Sequence, residues 1–283
     1  MTLKFDINGT DERRAYSLCS STYTDDLLEV AVKKVENGIV STYINDVLKE
    51  GDSIEVMPPQ GNFVIEPDAK NANHYVGFAA GSGITPIISM LKSVLAKEPN
   101  SKFTLVYGNK TKGSTIFERE LSAIDSSNFE LISVYSREST GNPITEGRIN
   151  KEKVDEIFKS NSALLKADGY YMCGPEEMIA AVADSLKDFQ VAEDKVNYEL
   201  FTTPVLLVKD SPSEVSNFEG EATVKVIYDD EEVEFSLHSN GNTILDVAME
   251  NDVDVPFSCK GAVGCTCKPL VTEGKATMDA NYS

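Results

Sequence analysis

Four short stretches of this chain combine aromatic, hydroxyl, glycine and charged residues at strand ends and helix starts. The first is Arg14-Ala15-Tyr16-Ser17-Leu18. A tyrosine on a strand offers a flat, stiff face on which a planar ring system can stack. Ser17 can hydrogen-bond a ring-nitrogen edge, and the Arg14 guanidinium can pair with a diphosphate. The second, Gly38-Ile39-Val40-Ser41-Thr42, joins a glycine that permits close backbone approach to a helix start whose free N–H groups suit phosphate. The third, Gly81-Ser82-Gly83-Ile84-Thr85-Pro86, follows an apolar run and opens a helix, with two glycines for a tight turn beside a ligand and Thr85-Pro86 to begin the helix. The fourth, Cys173-Gly174-Pro175-Glu176, ends another apolar run and opens another helix with proline at its first position.

Each stretch has a plainer reading. Tyr16 can be ordinary strand packing, Ser41 an N-cap, and the 81–86 loop a simple strand-to-helix turn, since it lacks the full spacing of the common dinucleotide fingerprint. Taken together they describe a flavin platform facing a nicotinamide site. Cys173 then shapes the nicotinamide pocket, and its place at a helix N-terminus is one that can lower a thiol pKa. It is not expected to be a covalent nucleophile, because His74 and His238 are the only histidines and neither is near it in sequence. Ser136 and Arg137 follow a third apolar run, where a guanidinium and a hydroxyl would hold a 2′-phosphate. That favours NADPH over NADH, with Lys110 and Lys112 as further anion contacts.

The C-terminal cysteines are Cys259, Cys265 and Cys267 in the loop Cys-Lys-Gly-Ala-Val-Gly-Cys-Thr-Cys. A plant-type two-iron cluster needs C-x4-C-x2-C and a distant fourth cysteine. Cys259 and Cys267 fit the first and third positions, Gly264 occupies the second, and Cys265 falls one residue late. No cysteine follows before Ser283. An unmetallated, reduced loop is therefore as good a reading as a 2Fe-2S cluster on these three thiols.

The elements that must position these residues change character along the chain. Up to Pro58 the pattern is β: Thr2–Ile7 alternates, Asn8-Gly9 is a hairpin turn, and strands are expected at Arg14–Ser20, Leu27–Val35 and Ser53–Met57, with one helix at Ser41–Lys49. Short antiparallel strands of this kind make a small β-barrel. From His74 onward, apolar runs at His74–Ala80, Phe103–Tyr107, Phe129–Tyr135, Tyr170–Cys173 and Val196–Phe201 alternate with helical segments near Pro86–Lys97, Ser114–Ile124, Lys151–Lys159 and Pro175–Asp188. That is an α/β domain with a parallel sheet covered on both faces, and its ligands sit at the strand C-termini. After a Pro- and Ser-containing linker come a hairpin around Asp229-Asp230 and a helix at Thr243–Glu250. The expected boundaries are 1–68, 69–203, linker 204–220, and 221–283.

Net charge is −20, from 26 Lys and Arg against 46 Asp and Glu. This argues against nucleic-acid or anionic-membrane partners, and any phosphate site must be built from local donors against an adverse field. The sequence contains no spanning segment and no signal peptide, and its five cysteines do not form a secreted disulfide framework, so the expected location is the cytoplasm.

With these residues in place, the chain resembles the ferredoxin–NADP reductase superfamily. Within it the likeness is to reductase components of aromatic-oxygenase systems of the phenylacetyl-CoA-epoxidising kind. The likeness rests on Arg14-Ala15-Tyr16-Ser17, the Val32-Lys33 strand, Gly38–Thr42, Ala79–Pro86, Tyr107-Gly108-Asn109, Ser136-Arg137-Glu138, Cys173-Gly174-Pro175 and the Cys-Lys-Gly loop at 259. It implies a flavin barrel, a nicotinamide domain and a partial β-grasp ferredoxin-like domain. Arg14, Tyr16, Ser17, Leu18, Val32 and Lys33 would hold FAD, with Gly38, Val40, Ser41 and Thr42 at its phosphates. Gly81, Gly83, Thr85, Pro86, Ser136, Arg137, Cys173, Gly174 and Pro175 would hold NADPH, and Tyr16, Ser17 and Cys173 would line the reacting centre. Glu199 and Phe201 match the end of the reductase module near the flavin. The implied activity is NAD(P)H-dependent flavin reduction, with electrons passed on, through a cluster if one assembles, to an oxygenase component or another acceptor protein. Relatives carry strands before the position of Thr2 and a cysteine beyond Cys267. A barrel opening at Thr2 would have an unpaired edge and hold FAD weakly. The alternatives are a cluster-less diaphorase-like reductase and a non-catalytic electron-transfer or binding module.

Overall fold

A computed structural model describes residues 1–201, 218–229, 231–251, 253, 255–257, 267 and 269–277. The chain opens with β1 (Thr2–Ile7) and β2 (Thr10–Ala15), which pair antiparallel with Ile7 opposite Thr10. Asn8 and Gly9 have φ of 57° and 77°. Two successive left-handed residues make the tight turn whose twist suits a hairpin. The turn therefore forces the second strand to begin at Thr10, ahead of the expected start at Arg14. Charged residues fill β2 because pairing, not propensity, decides here.

Helix α1 (Ile39–Asp46) follows, and then β3 (Glu55–Met57) pairs with the other edge of β1, giving the order β2-β1-β3. Leu3 and Phe5 pack against Val40 of α1 to form the core of this barrel-like unit. The expected strand at Leu27–Val35 is absent. Only Val30 bridges, to Leu18, while Leu27 and Leu28 are 73% and 54% exposed. Alternation marks a potential strand but does not supply a neighbour. Helix α1 also begins earlier than expected: Gly38 is its N-cap, and the Ser41 hydroxyl accepts from the Val35 N–H at 3.1 Å instead of capping.

The central sheet is parallel, with β4 (His74–Ala80), β5 (Lys102–Asn109), β6 (Phe129–Tyr135), β7 (Gly169–Cys173) and β8 (Val196–Glu199) in the order β6-β5-β4-β7-β8. Helices α2 (Ile84–Lys97) and α3 (Glu118–Ala123) cover one face, and α4 (Lys151–Ser160) and α5 (Glu176–Asp188) the other. β4 shows why its whole run is apolar. Val76 and Phe78 join the cluster of Val154, Phe158 and Ile179, while Tyr75 and Ala79 face Ile84, Ile87 and Leu91. Both faces are buried, as a parallel sheet requires.

The chain enters the sheet at its centre, builds outward through β5 and β6, and then crosses to β7 and β8. The crevice between the ends of β4 and β7 is thus the point where strand order reverses, the usual place for a ligand. In the C-terminal unit, β9 (Glu221–Tyr228) and β10 (Glu231–His238) form a hairpin, with Asp229 in its turn at φ 52°; Asp230 lies outside the described residues. Helix α6 (Ile244–Glu250) is capped by Thr243, whose hydroxyl accepts from the Asp246 N–H. Phe235, Ala248 and Val253 form its core. Among the described residues no helix is long and apolar enough to cross a membrane.

Candidate flavin and nicotinamide site

Three strand ends converge at the reversal point. Ala79, Cys173 and Glu199 stand in one register row across β4, β7 and β8. From the segment that follows β2, the Ser17 hydroxyl reaches this row and donates to Glu199 Oε2 at 2.6 Å. Burial pushes the Glu199 carboxyl above its ordinary range, and the Ser17 hydrogen bond and the Met1 ammonium group only partly offset this. Cys173 is fully buried, and burial, then the neighbouring Glu199 charge, raise its thiol well above the usual value. The lowered pKa expected from its helix-end position is therefore corrected: Pro175 is the N-cap of α5, and desolvation outweighs the helix dipole. Cys173 is a buried, neutral thiol at the reversal point.

Two glycine turns interlock beside this row. A Cβ on Gly83 would lie 2.0 Å from the Cys173 carbonyl oxygen, and one on Gly174 would lie 3.1 Å from the Ala80 nitrogen. Side chains at either position would wedge the two strand ends apart. Gly81 takes φ +55°, and the Lys33 ammonium is 3.9 Å from where its Cβ would be, so Lys33 of the flavin-side unit overhangs the loop. The buried Tyr107 hydroxyl donates to the Gly81 carbonyl at 2.9 Å, and Thr85 donates to Ser82 at 3.1 Å. Pro86 is buried in the first turn of α2, which starts at Ile84.

On the flavin side, Tyr16 is half-buried against the Leu3, Phe5 and Val40 cluster, and burial raises its hydroxyl pKa. This cluster brings Tyr16 and the start of α1 together, although Val40 and Ser41 themselves point into packed surroundings. Arg14 is half-exposed and pairs with Glu12 at 3.1 Å. Thr42 closes the first turn of α1 by donating its N–H to Gly38. Val32 is half-buried, and its carbonyl accepts from Asn45.

Ser136, Arg137 and the Pro175 edge are exposed, and Phe201 is 44% exposed. Ser136 and Arg137 continue the pairing of β6 onto β5, donating their N–H groups to Asn109 and Lys110. They lie beyond β4 and β5 from Cys173. Asn109 Nδ2 is buried without a hydrogen-bond partner. In sequence, Asn109 stands out only as part of a family signature, and Glu199 is a plain strand residue apart from the resemblance. No local pattern signals either role.

Three family models match in chain order. The oxidoreductase FAD-binding domain matches residues 1–65, the oxidoreductase NAD-binding domain 78–184 and the 2Fe-2S iron-sulfur cluster binding domain 226–282. The chain is 35% identical over 286 residues to a component of the 1,2-phenylacetyl-CoA epoxidase of Escherichia coli (strain K12), covering all of this chain and 79% of that protein. The chain belongs to the ferredoxin reductase family of flavoproteins. The reductase is also 33% identical over 274 residues to the ferredoxin reductase component of a Rhodococcus rhodochrous 3-ketosteroid-9-alpha-monooxygenase, covering 94% of this chain and 73% of that one. Its fold matches a Neisseria gonorrhoeae ferredoxin NADP+ reductase at TM-score 0.57 and 21% identity, covering 71% of this chain and 84% of that one. It also matches an intact type IV self-sufficient cytochrome P450 monooxygenase at TM-score 0.63 and 21% identity, covering 94% of this chain and 31% of that one.

The reductase is an NAD(P)H-dependent FAD oxidoreductase, and its residues fit those groups. At the end of β5 the buried Asn109 Nδ2 is left without a partner among the described residues, a donor that such a group could take. The cysteine loop stands differently. Cys259, Gly264 and Cys265 lie outside the described residues, and Cys267 is half-buried. The thiols keep a spacing that departs from the plant-type pattern.

Proposed function

We propose that this reductase draws electrons from NADPH and delivers them to an oxygenase component of a multicomponent system, with an aromatic acyl-CoA epoxidase as the acceptor suggested by its 35% identical relative. Bound FAD supplies the chemistry, accepting a hydride equivalent and releasing electrons singly. The residues of the chain orient and seal. Tyr16 offers the stacking face, Ser17 a hydroxyl for the ring edge, and Arg14 with the start of α1 the diphosphate contacts. Gly81, Gly83, Thr85, Cys173 and Gly174 shape the nicotinamide pocket from which water is kept. Ser136 and Arg137 take the 2′-phosphate. The single observation carrying this reading is the Ser17–Glu199–Cys173 junction at the reversal point of the sheet.

A second reading follows from the cysteine spacing: a diaphorase-like reductase that reduces soluble acceptors without a cluster. Visible spectra of the purified protein, taken before and after anaerobic NADPH, test both. Flavin bands that bleach, with a broad red-shifted absorbance that bleaches with them, support delivery through a cluster. Flavin bleaching alone supports the second reading, and a flavin that NADPH leaves oxidised overturns both. The buried thiols Cys19 and Cys173, neither in a disulfide, support a reducing compartment, the cytoplasm.

A further inference from the structure

Neighbouring arginines on β2 point to opposite faces of the sheet. Arg14 shares a face with Glu12 and with the side of β1 that carries Leu3 and Phe5; Arg13 lies opposite Lys4, beside Asp11. Arg13 is only 7% exposed. A buried guanidinium needs partners, and Asp11 takes both Nε, at 3.3 Å, and Nη2, at 2.9 Å. On the guanidinium lies the ring of Phe257, its centroid 4.6 Å from Cζ.

Phe257 belongs to the C-terminal unit, yet it stands outside that unit's own cluster of Phe235, Ala248 and Val253. It is nevertheless only 7% exposed. Its ring meets the Arg13 guanidinium of the first sheet. Cys259, the first cysteine of the C-terminal loop, follows closely in sequence.

We propose that Arg13, held flat by Asp11, is the seat on which Phe257 docks the C-terminal unit against the flavin-side sheet. Arg13 is then a positioning residue. It sets where Phe257 sits relative to the strand whose other face carries Arg14. The functional meaning, a fixed path from flavin to the C-terminal unit, rests on the flavin reading above. The docking contact does not.

The chain has no tryptophan, so Phe257→Trp in the full-length, FAD-loaded protein provides a single fluorescent reporter and keeps a ring over the guanidinium, for which indole is the best partner. A seated ring gives blue-shifted emission protected from acrylamide. Adding Arg13→Ala shifts the emission to the red and raises acrylamide quenching several-fold, while FAD per chain and its bleaching by NADPH are unchanged. Arg13→Lys, which keeps charge but loses the planar fork, falls between. Red, freely quenched emission in Phe257→Trp alone overturns the proposal, as does emission that ignores Arg13→Ala. If Arg13→Ala loses FAD, the Arg13→Lys comparison decides, and unchanged emission there counts against docking. A protein that bound no FAD would sink the flavin reading and leave this emission test intact.

Discussion

Ser17 and Glu199, 182 positions apart in the chain, share a 2.6 Å hydrogen bond. The bond ties the segment after β2 to the last strand of the parallel sheet. It also places a desolvated carboxyl in the register row of Cys173. A carboxylate so placed is costly in its charged form. A buried titratable group with a raised pKa at the reversal point of the sheet is a candidate for a functional role.

The cost has a sign that can be measured. Burial raises the Glu199 pKa above 4.5, so the folded state binds this proton more tightly than the unfolded chain does. The associated stability is full below the unfolded value and is lost as pH rises through the folded one. Glu199→Gln keeps an acceptor for Ser17 and removes that loss. Its melting temperature is expected to gain on wild type as pH climbs above about 4.5, the unperturbed value. Melting curves across that range check this, and parallel curves would show that Glu199 has no raised pKa.

Tyr107→Phe tests the support of the first glycine turn. The hydroxyl donates to the Gly81 carbonyl at 2.9 Å and, more weakly, to that of Ile116 at 3.4 Å. Removing it takes away one of two donors to the half-buried Gly81 carbonyl, which keeps the Ile84 N–H, at a cost of about 0.5–1.5 kcal/mol. With the turn loosened, KM for NADPH should rise several-fold while flavin content holds. Steady-state kinetics with a soluble dye acceptor, beside a thermal melt, separate the two effects. An unaltered KM with a lowered melt would make Tyr107 purely structural.

The parallel sheet is legible in sequence because its strands are buried on both faces and read as unbroken apolar runs. His74–Ala80 and Phe129–Tyr135 have the same ends in sequence and in structure. The first sheet is harder. Its strands follow the Asn8-Gly9 turn and the partners available, so the charged Thr10–Ala15 pairs, while Leu27–Val35, with better alternation, does not. The glycine turns and Cys173 can be located from strand-to-helix transitions. The Ser17–Glu199 bond and the Arg13–Phe257 stack cannot, since each joins residues far apart in sequence that only the fold brings together. The Cys173 thiol shows the same limit. Its position predicts a lowered pKa, and its burial, invisible in sequence, reverses the sign.

Gly83→Ala should be among the most damaging single-methyl additions in the protein. The new Cβ would fall 2.0 Å from the Cys173 carbonyl oxygen and 2.4 Å from its carbon, both backbone atoms that cannot rotate away. Relief requires β4 and β7 to part at the reversal point, a distortion costing roughly 1–3 kcal/mol or more. Flavin bleaching by NADPH should be largely lost. Gly113→Ala, with nothing within 4 Å of its added Cβ, is the matched control and should behave as wild type. Equal bleaching in both variants would place the nicotinamide elsewhere.

Arg137→Ala tests which dinucleotide is used. Arg137 is exposed at the end of β6, its backbone N–H held by the Lys110 carbonyl at 2.8 Å, which brings it beside the lysines at 110 and 112. In a chain with net charge −20, an anion site at this edge depends on these few cations. A guanidinium–phosphate contact contributes about 1.5–3 kcal/mol. The variant should therefore lose roughly 10- to 100-fold in kcat/KM for NADPH and little for NADH. Measuring both cofactors on both proteins checks it. Equal losses would mean that Arg137 supports the fold of this edge, and no loss with either would assign the 2′-position to another residue or leave NADH as the natural donor.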